Sequence, residues 1–127
     1  MEIIHVVLGK ANPDRMNGVN KVVHQLATQQ KNAGHRVSLW GITRDTTHNY
    51  PYRNFETKLF RDGKNKFALD KDLYKELSLK KGKTVFHLHG GFNPQFYAVS
   101  KVLHQFGLPY VFTPHGACLL YTSDAAD

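Results

Sequence analysis

Short apolar runs alternate with longer stripes of helical period along this chain of 127 residues, and the order of the two patterns predicts its architecture. Ile3 to Leu8 is a short apolar run that suits a buried strand. From Gly18 the period changes: Val19, Val22, Val23, Leu26 and Ala27, closed by Ala33, fall at the three- and four-residue spacings of a helix with one buried face. Asn17 is placed to cap that helix and Gly34 to end it. Arg36 to Ile42 returns to a strand-like run with Val37, Leu39 and the only tryptophan, Trp40. Thr43 to Asn54, with Pro51, is polar and turn-prone and reads as a loop. Phe55 to Phe60 alternates weakly, as a third strand.

Leu69, Leu73, Tyr74 and Leu77 mark a second helix around Asp70 to Leu79, ended by Gly82, and Thr84 to Leu88 is the fourth strand. Asn93 followed by Pro94 opens a third helix, because proline at the first helical position gives up a donor that would be unpaired anyway. Phe96, Val99, Val102, Leu103 and Phe106 supply its stripe, Gly107 caps it, and Pro109 to Thr113 forms the fifth strand. Strands alternating with helices imply βαβ units and right-handed crossovers. The fold class is therefore α/β: a Rossmann-like parallel sheet flanked by helices. No internal repeat, low-complexity tract or inter-domain linker interrupts it, and a chain of this length builds one domain at most.

In a doubly wound sheet of order 3-2-1-4-5, the loops after strands one and four open the crevice at the switch point. Those loops are GKANPDRMNG and HGGFN, and PHG follows the fifth strand, so all three belong on one sheet edge. They also concentrate glycine and histidine. The turn at Asn17 and Gly18 opens a helix whose first amides are unpaired and whose dipole favours a phosphate; taken alone, it reads first as an ordinary Asx cap, and the phosphate reading takes the lead only within the set of converging loops. Gly90 and Gly91, after His89, either admit a ligand or simply make a tight turn. His115, before Gly116, can donate to a sugar hydroxyl or a phosphate or shuttle a proton, or bond to backbone as a turn histidine. His87 and His89 share one strand face, but two histidines without a third ligand are weak evidence for zinc, and no metal site is expected. His5 reads as a strand residue with a backbone partner, and His24, His35, His48 and His104 as surface or helix-end residues.

The net charge of +7 attracts anions without choosing among them. With neither an RNA-binding aromatic signature nor zinc-finger spacing, nucleic acid is not an expected partner, while peripheral contact with an anionic membrane stays open. The start, MEIIHVVLG, has no secretory leader pattern and no apolar run is long enough to span a bilayer, which favours the cytoplasm. The last ten residues, CLLYTSDAAD, look like a translated transposon-end adapter, so 118–127 is expected to be a non-native tail. Cys118, the only cysteine, then supports no thiol or metal chemistry, and without Asp124 and Asp127 the net charge rises from +7 to +9.

The stretch NGVNKVVHQLATQQKNAGHRVSLW resembles the glycine-loop and first-helix region of family 4 glycosyltransferases of the GT-B fold. The family form is a Gly-Gly-Val turn, an amphipathic helix, then Gly-His-x-Val into the second strand. Residues 85–116, VFHLHGGFNPQFYAVSKVLHQFGLPYVFTPHG, are similar to the family's strand, His-x-His-Gly, helix, and Pro-Tyr-Val-x-Thr-Pro-His-Gly. The resemblance covers nearly all of 1–117 in matching order. It implies that 1–117 is an incomplete amino-terminal, acceptor-side domain of a two-domain enzyme. That enzyme would move a sugar from a nucleotide-sugar donor to a glycan or lipid-linked acceptor, retaining the anomeric configuration and using neither metal nor cofactor. By position, the Gly18 amide would meet the donor diphosphate and His115 would act near the transferred sugar, with Asn17, His89, Gly90, Gly91 and Gly116 around the substrates. Asn17 departs from the usual first glycine: it tolerates left-handed geometry but narrows the approach. The donor domain, with its glutamate pair, is not in this sequence, so the chain alone is expected to be inactive. The competing reading is a non-catalytic Rossmann or flavodoxin-like module that binds a nucleotide or phosphate. A nicotinamide site is disfavoured, because GKANPDRMNG lacks the G-x-G-x-x-G fingerprint.

Overall fold

A computed structural model describes residues 1–14, 18–63, 69–80, 83–91 and 93–114. Five strands, β1 (Glu2–Leu8), β2 (Arg36–Thr43), β3 (Glu56–Arg61), β4 (Thr84–His89) and β5 (Tyr110–Thr113), form one sheet with three helices, α1 (Gly18–Asn32), α2 (Lys71–Ser78) and α3 (Pro94–Gln105). The strand order is β3-β2-β1-β4-β5 and every pairing is parallel. This is the doubly wound order expected from the alternation of periods. The Asn17 cap, the Gly82 stop, His115, Gly116 and the 118–127 tail lie outside the described residues.

Both faces of β1 are covered, so its side chains divide into two cores by the strand's period of two. On one face Ile4 and Val6 join Trp40, Ile42, Phe60, Phe86 and Leu88 under Leu73 and Leu77 of α2 and Phe96, Val99 and Leu103 of α3. Trp40 anchors this layer, with Phe60 and Phe86 edge-on at 5.4 and 5.5 Å. The other face is smaller: Val7, Val37, Leu39 and Phe55 pack against Val23 and Ala27 of α1.

The helices begin where side chains satisfy their free amides. Asp70 accepts from the amides of Asp72 and Leu73 at the start of α2, at 3.0 and 3.3 Å. Asn93 accepts from Phe96 N at 3.0 Å, with Pro94 in the first turn of α3. The stripe of α1 is narrower than its sequence suggests. Val23 and Ala27 are buried, but Val22 is 47% exposed. Val19, Val23 and Ala27 form a single i, i+4 ridge that meets the sheet, and Val22 sits beside it. Because α1 is the only described helix on this face and packs over β2, the neighbouring strip of β4 and β5 is less covered, and Val111 is 54% exposed. Among the described residues no helix is long and apolar enough to cross a membrane.

Candidate functional site

Parallel strands deliver their following loops to one edge, so the segments after β1, β4 and β5 leave the sheet on the same side. The first begins at Gly9 (φ 110°), whose amide donates to Ile42 O at 2.9 Å. The chain then turns through Ala11, buried and left-handed at φ 52°, a conformation that costs an alanine energy and needs outside support. Arg53 supplies it, donating from Nη1 to Lys10 O at 2.9 Å and from Nη2 to Ala11 O at 3.4 Å. Its guanidinium lies 3.7 Å over the Tyr50 ring and 5.1 Å from that of Phe55. Lys10 completes the strap: its Nζ donates to Thr47 O at 2.6 Å and Asn49 Oδ1 at 2.7 Å, with Asp45 Oδ2 at 3.4 Å. Hydrogen bonds from Thr47, and then Lys10, hold the Asp45 carboxyl at about 2. The polar stretch after β2, read as a plain loop, is therefore what fixes the β1–α1 loop.

Gly18 opens α1 with no acidic residue in the first turn. Among the described residues, no atom lies within 4 Å of a Cβ built on it, so their packing places no demand for glycine there. Gly90 differs. At φ 144°, its Cβ would lie 2.8 Å from Phe96 Cε2, and its amide donates to Thr113 O at 3.1 Å. The turn after β4 thus needs glycine for the fold itself, and Gly91 O accepts from Asn93 Nδ2 at 2.9 Å to close it.

His89, the last residue of β4, turns inward: it is 1% exposed, and its Nε2 lies 2.8 Å from Nδ1 of His5. His5, 0% exposed, carries side-chain partners in place of the expected backbone one, because its ring faces the underside of α1, where Gln30 Oε1 lies 2.6 Å from its Nε2. The amide oxygen requires a proton on His5 Nε2, which leaves Nδ1 to accept from His89. Burial pushes the His5 pKa below its usual value, partly offset by the bond to Gln30, so the ring is neutral at pH 7. The half-buried ring of His87 stacks on that of His89 with centroids 3.8 Å apart, and its Nε2 is 2.6 Å from Thr113 Oγ1. His24 also departs from the surface position expected of it: it is half-buried, edge-on to Phe55 at 5.5 Å, because Phe55 folds back beneath α1. His35, His48 and His104 are exposed.

The sheet order and the helices on both of its faces define a Rossmann-like α/β domain. Residues 16–125 match Glycosyltransferase Family 4, and the chain belongs to that family. No curated protein and no solved structure matches it. A glycosyltransferase domain works on a sugar donor and an acceptor.

Proposed function

We propose that this sheet edge is the acceptor-side wall of a sugar-transfer cleft, in a retaining, metal-independent GT-B enzyme that uses a nucleotide-sugar donor and a glycan or lipid-linked acceptor. The observation that carries the reading is Gly18: a glycine that no described neighbour requires, at a helix whose first turn holds no acid to neutralise the dipole. Such a terminus suits a diphosphate, whose oxygens meet the amides without a Cβ in the way. Charge builds on the departing diphosphate as the sugar becomes oxocarbenium-like, and fixed amides stabilise it without reorganising.

In this reading His115 is the catalytic residue beside the transferred sugar, with Asn17, Gly91 and Gly116 lining the cleft. Gly90 and His89 contribute backbone at the strand tip, since the His89 ring is engaged below. Residues 1–117 make up the acceptor-side domain and 118–127 a non-native tail. A second domain supplies the nucleotide pocket. The enzyme works in the cytoplasm, and its basic surface favours an anionic membrane face. Replacing His115 by alanine in a two-domain parent tests the assignment: turnover should fall by about 100-fold or more, and unchanged turnover takes His115 out of the site.

A further inference from the structure

We propose that His5, His87 and His89 form a binding site for a zinc-class transition-metal ion, built into the sheet one layer beneath the loop edge. The two strands supply the geometry. His5 and His87 are direct partners across β1 and β4, and His89 follows two residues on, so all three imidazoles stand on the same face. Each offers one ring nitrogen, and these nitrogens all lie within 4.8 Å of one another. His5 Nδ1 and His89 Nε2 are 2.8 Å apart. Tetrahedral coordination with bonds of about 2.0–2.1 Å asks for nitrogens about 3.3 Å apart, which the three side chains reach by rotating the stacked His87 and His89 rings out of parallel.

The outer bonds point the same way. Ligating histidines usually spend their second ring nitrogen on a neighbouring acceptor, which fixes the tautomer and aims the free lone pair at the metal. Gln30 Oε1 holds Nε2 of His5 and Thr113 Oγ1 holds Nε2 of His87, both at 2.6 Å. On metal binding, the proton that His89 shares with His5 moves to the other nitrogen of His89, and three neutral imidazoles remain as donors. A set of nitrogens with no carboxylate suits zinc, cobalt or copper and excludes magnesium and calcium. The partly open strip of sheet at His87 and Val111 provides the entry path. The site rests on the register of the sheet and not on the transfer reading, and the HLH pair alone does not disclose it: the third ligand lies 84 positions from His89.

The test titrates cobalt(II), then zinc(II), into the purified full chain after chelator treatment. The expected result is one equivalent bound, with the intense visible bands of four-coordinate cobalt. Those bands should disappear in His87→Ala and His5→Gln and survive replacement of His35, His48 and His104. Gln30→Leu, which keeps all three ligands, should weaken zinc binding about 10-fold or more. Circular dichroism in chelator identifies variants that fail to fold; if His5→Gln is one, His87→Ala and Gln30→Leu decide. Absence of the four-coordinate spectrum in the wild-type chain, or its persistence in His87→Ala, overturns the proposal.

Discussion

The carbonyl oxygen of Gly9 fills the space where a side chain on Gly41 would begin: a Cβ built there runs into that oxygen and comes within 2.9 Å of Leu59 Cδ2. The β1–α1 loop can leave the sheet at this height only because β2 carries glycine opposite it. Gly41→Ala should therefore destabilise the domain by about 1–3 kcal/mol, as overpacking against backbone does. Gly18→Ala, with open space around it, should stay within about 0.5 kcal/mol of the parent. Urea unfolding midpoints measure both. Equal effects at the two positions would mean that the close approach of Gly9 and Gly41 is not what shapes the loop.

Arg53 is expected to be irreplaceable by lysine. The guanidinium reaches two carbonyls and stacks on Tyr50 at once, and a single ammonium cannot reproduce a planar fork. Arg53→Lys should cost about 1–2 kcal/mol, close to the cost of Arg53→Met. It should also speed hydrogen exchange in residues 9–14. Full rescue by lysine would show that charge alone holds the left-handed Ala11.

Stability should fall in mild acid because of His24. Burial, followed by the nearby Arg53 charge, lowers its pKa against an opposing pull from Asp14. Its Nε2 is buried with no hydrogen-bond partner among the described residues. The unfolded ring takes up a proton near its usual value of about 6.5, while the folded ring stays neutral. The contribution of His24 is thus complete above about pH 6.5 and is lost as pH drops from there toward the folded value. Denaturant midpoints at about pH 7.5 and about pH 5.5 should differ, and the difference should shrink in His24→Phe. An identical difference in that variant would place its origin elsewhere.

Element order, the start of α3, the glycines that end α1 and α3, and the strand order are legible in the sequence, since each follows from local periodicity and turn chemistry. Asn93 and Pro94 announce a helix start by residue type alone, while the Asp70 cap emerges only in the structure. Boundaries shift for equally local reasons: β5 begins at Tyr110, because Pro109 has no amide to give the ladder. What the sequence hides depends on register between distant strands. Nothing in IIHVVL or VFHLH says that His5 and His87 stand opposite each other, and nothing in the polar stretch after β2 says that Arg53 closes on Ala11. The exposure of Val22 is hidden for a related reason, since a stripe does not say how wide a surface its helix meets. Among the proposed site residues, Gly18 and Gly90 look alike in sequence. Packing separates them, because Phe96 constrains Gly90 and no described atom within 4 Å constrains Gly18.

The proposed cleft puts the diphosphate of a sugar nucleotide at the start of α1, and the backbone amide resonance of Gly18 in a two-domain parent reports on that contact during titration with a nucleoside diphosphate. The Gly18 resonance should shift progressively and saturate. The corresponding nucleoside, which lacks the diphosphate, should leave it in place, and Gly18→Val should weaken the diphosphate's effect on neighbouring amides. A Gly18 amide that does not move while the diphosphate perturbs residues elsewhere would remove α1 from the diphosphate site.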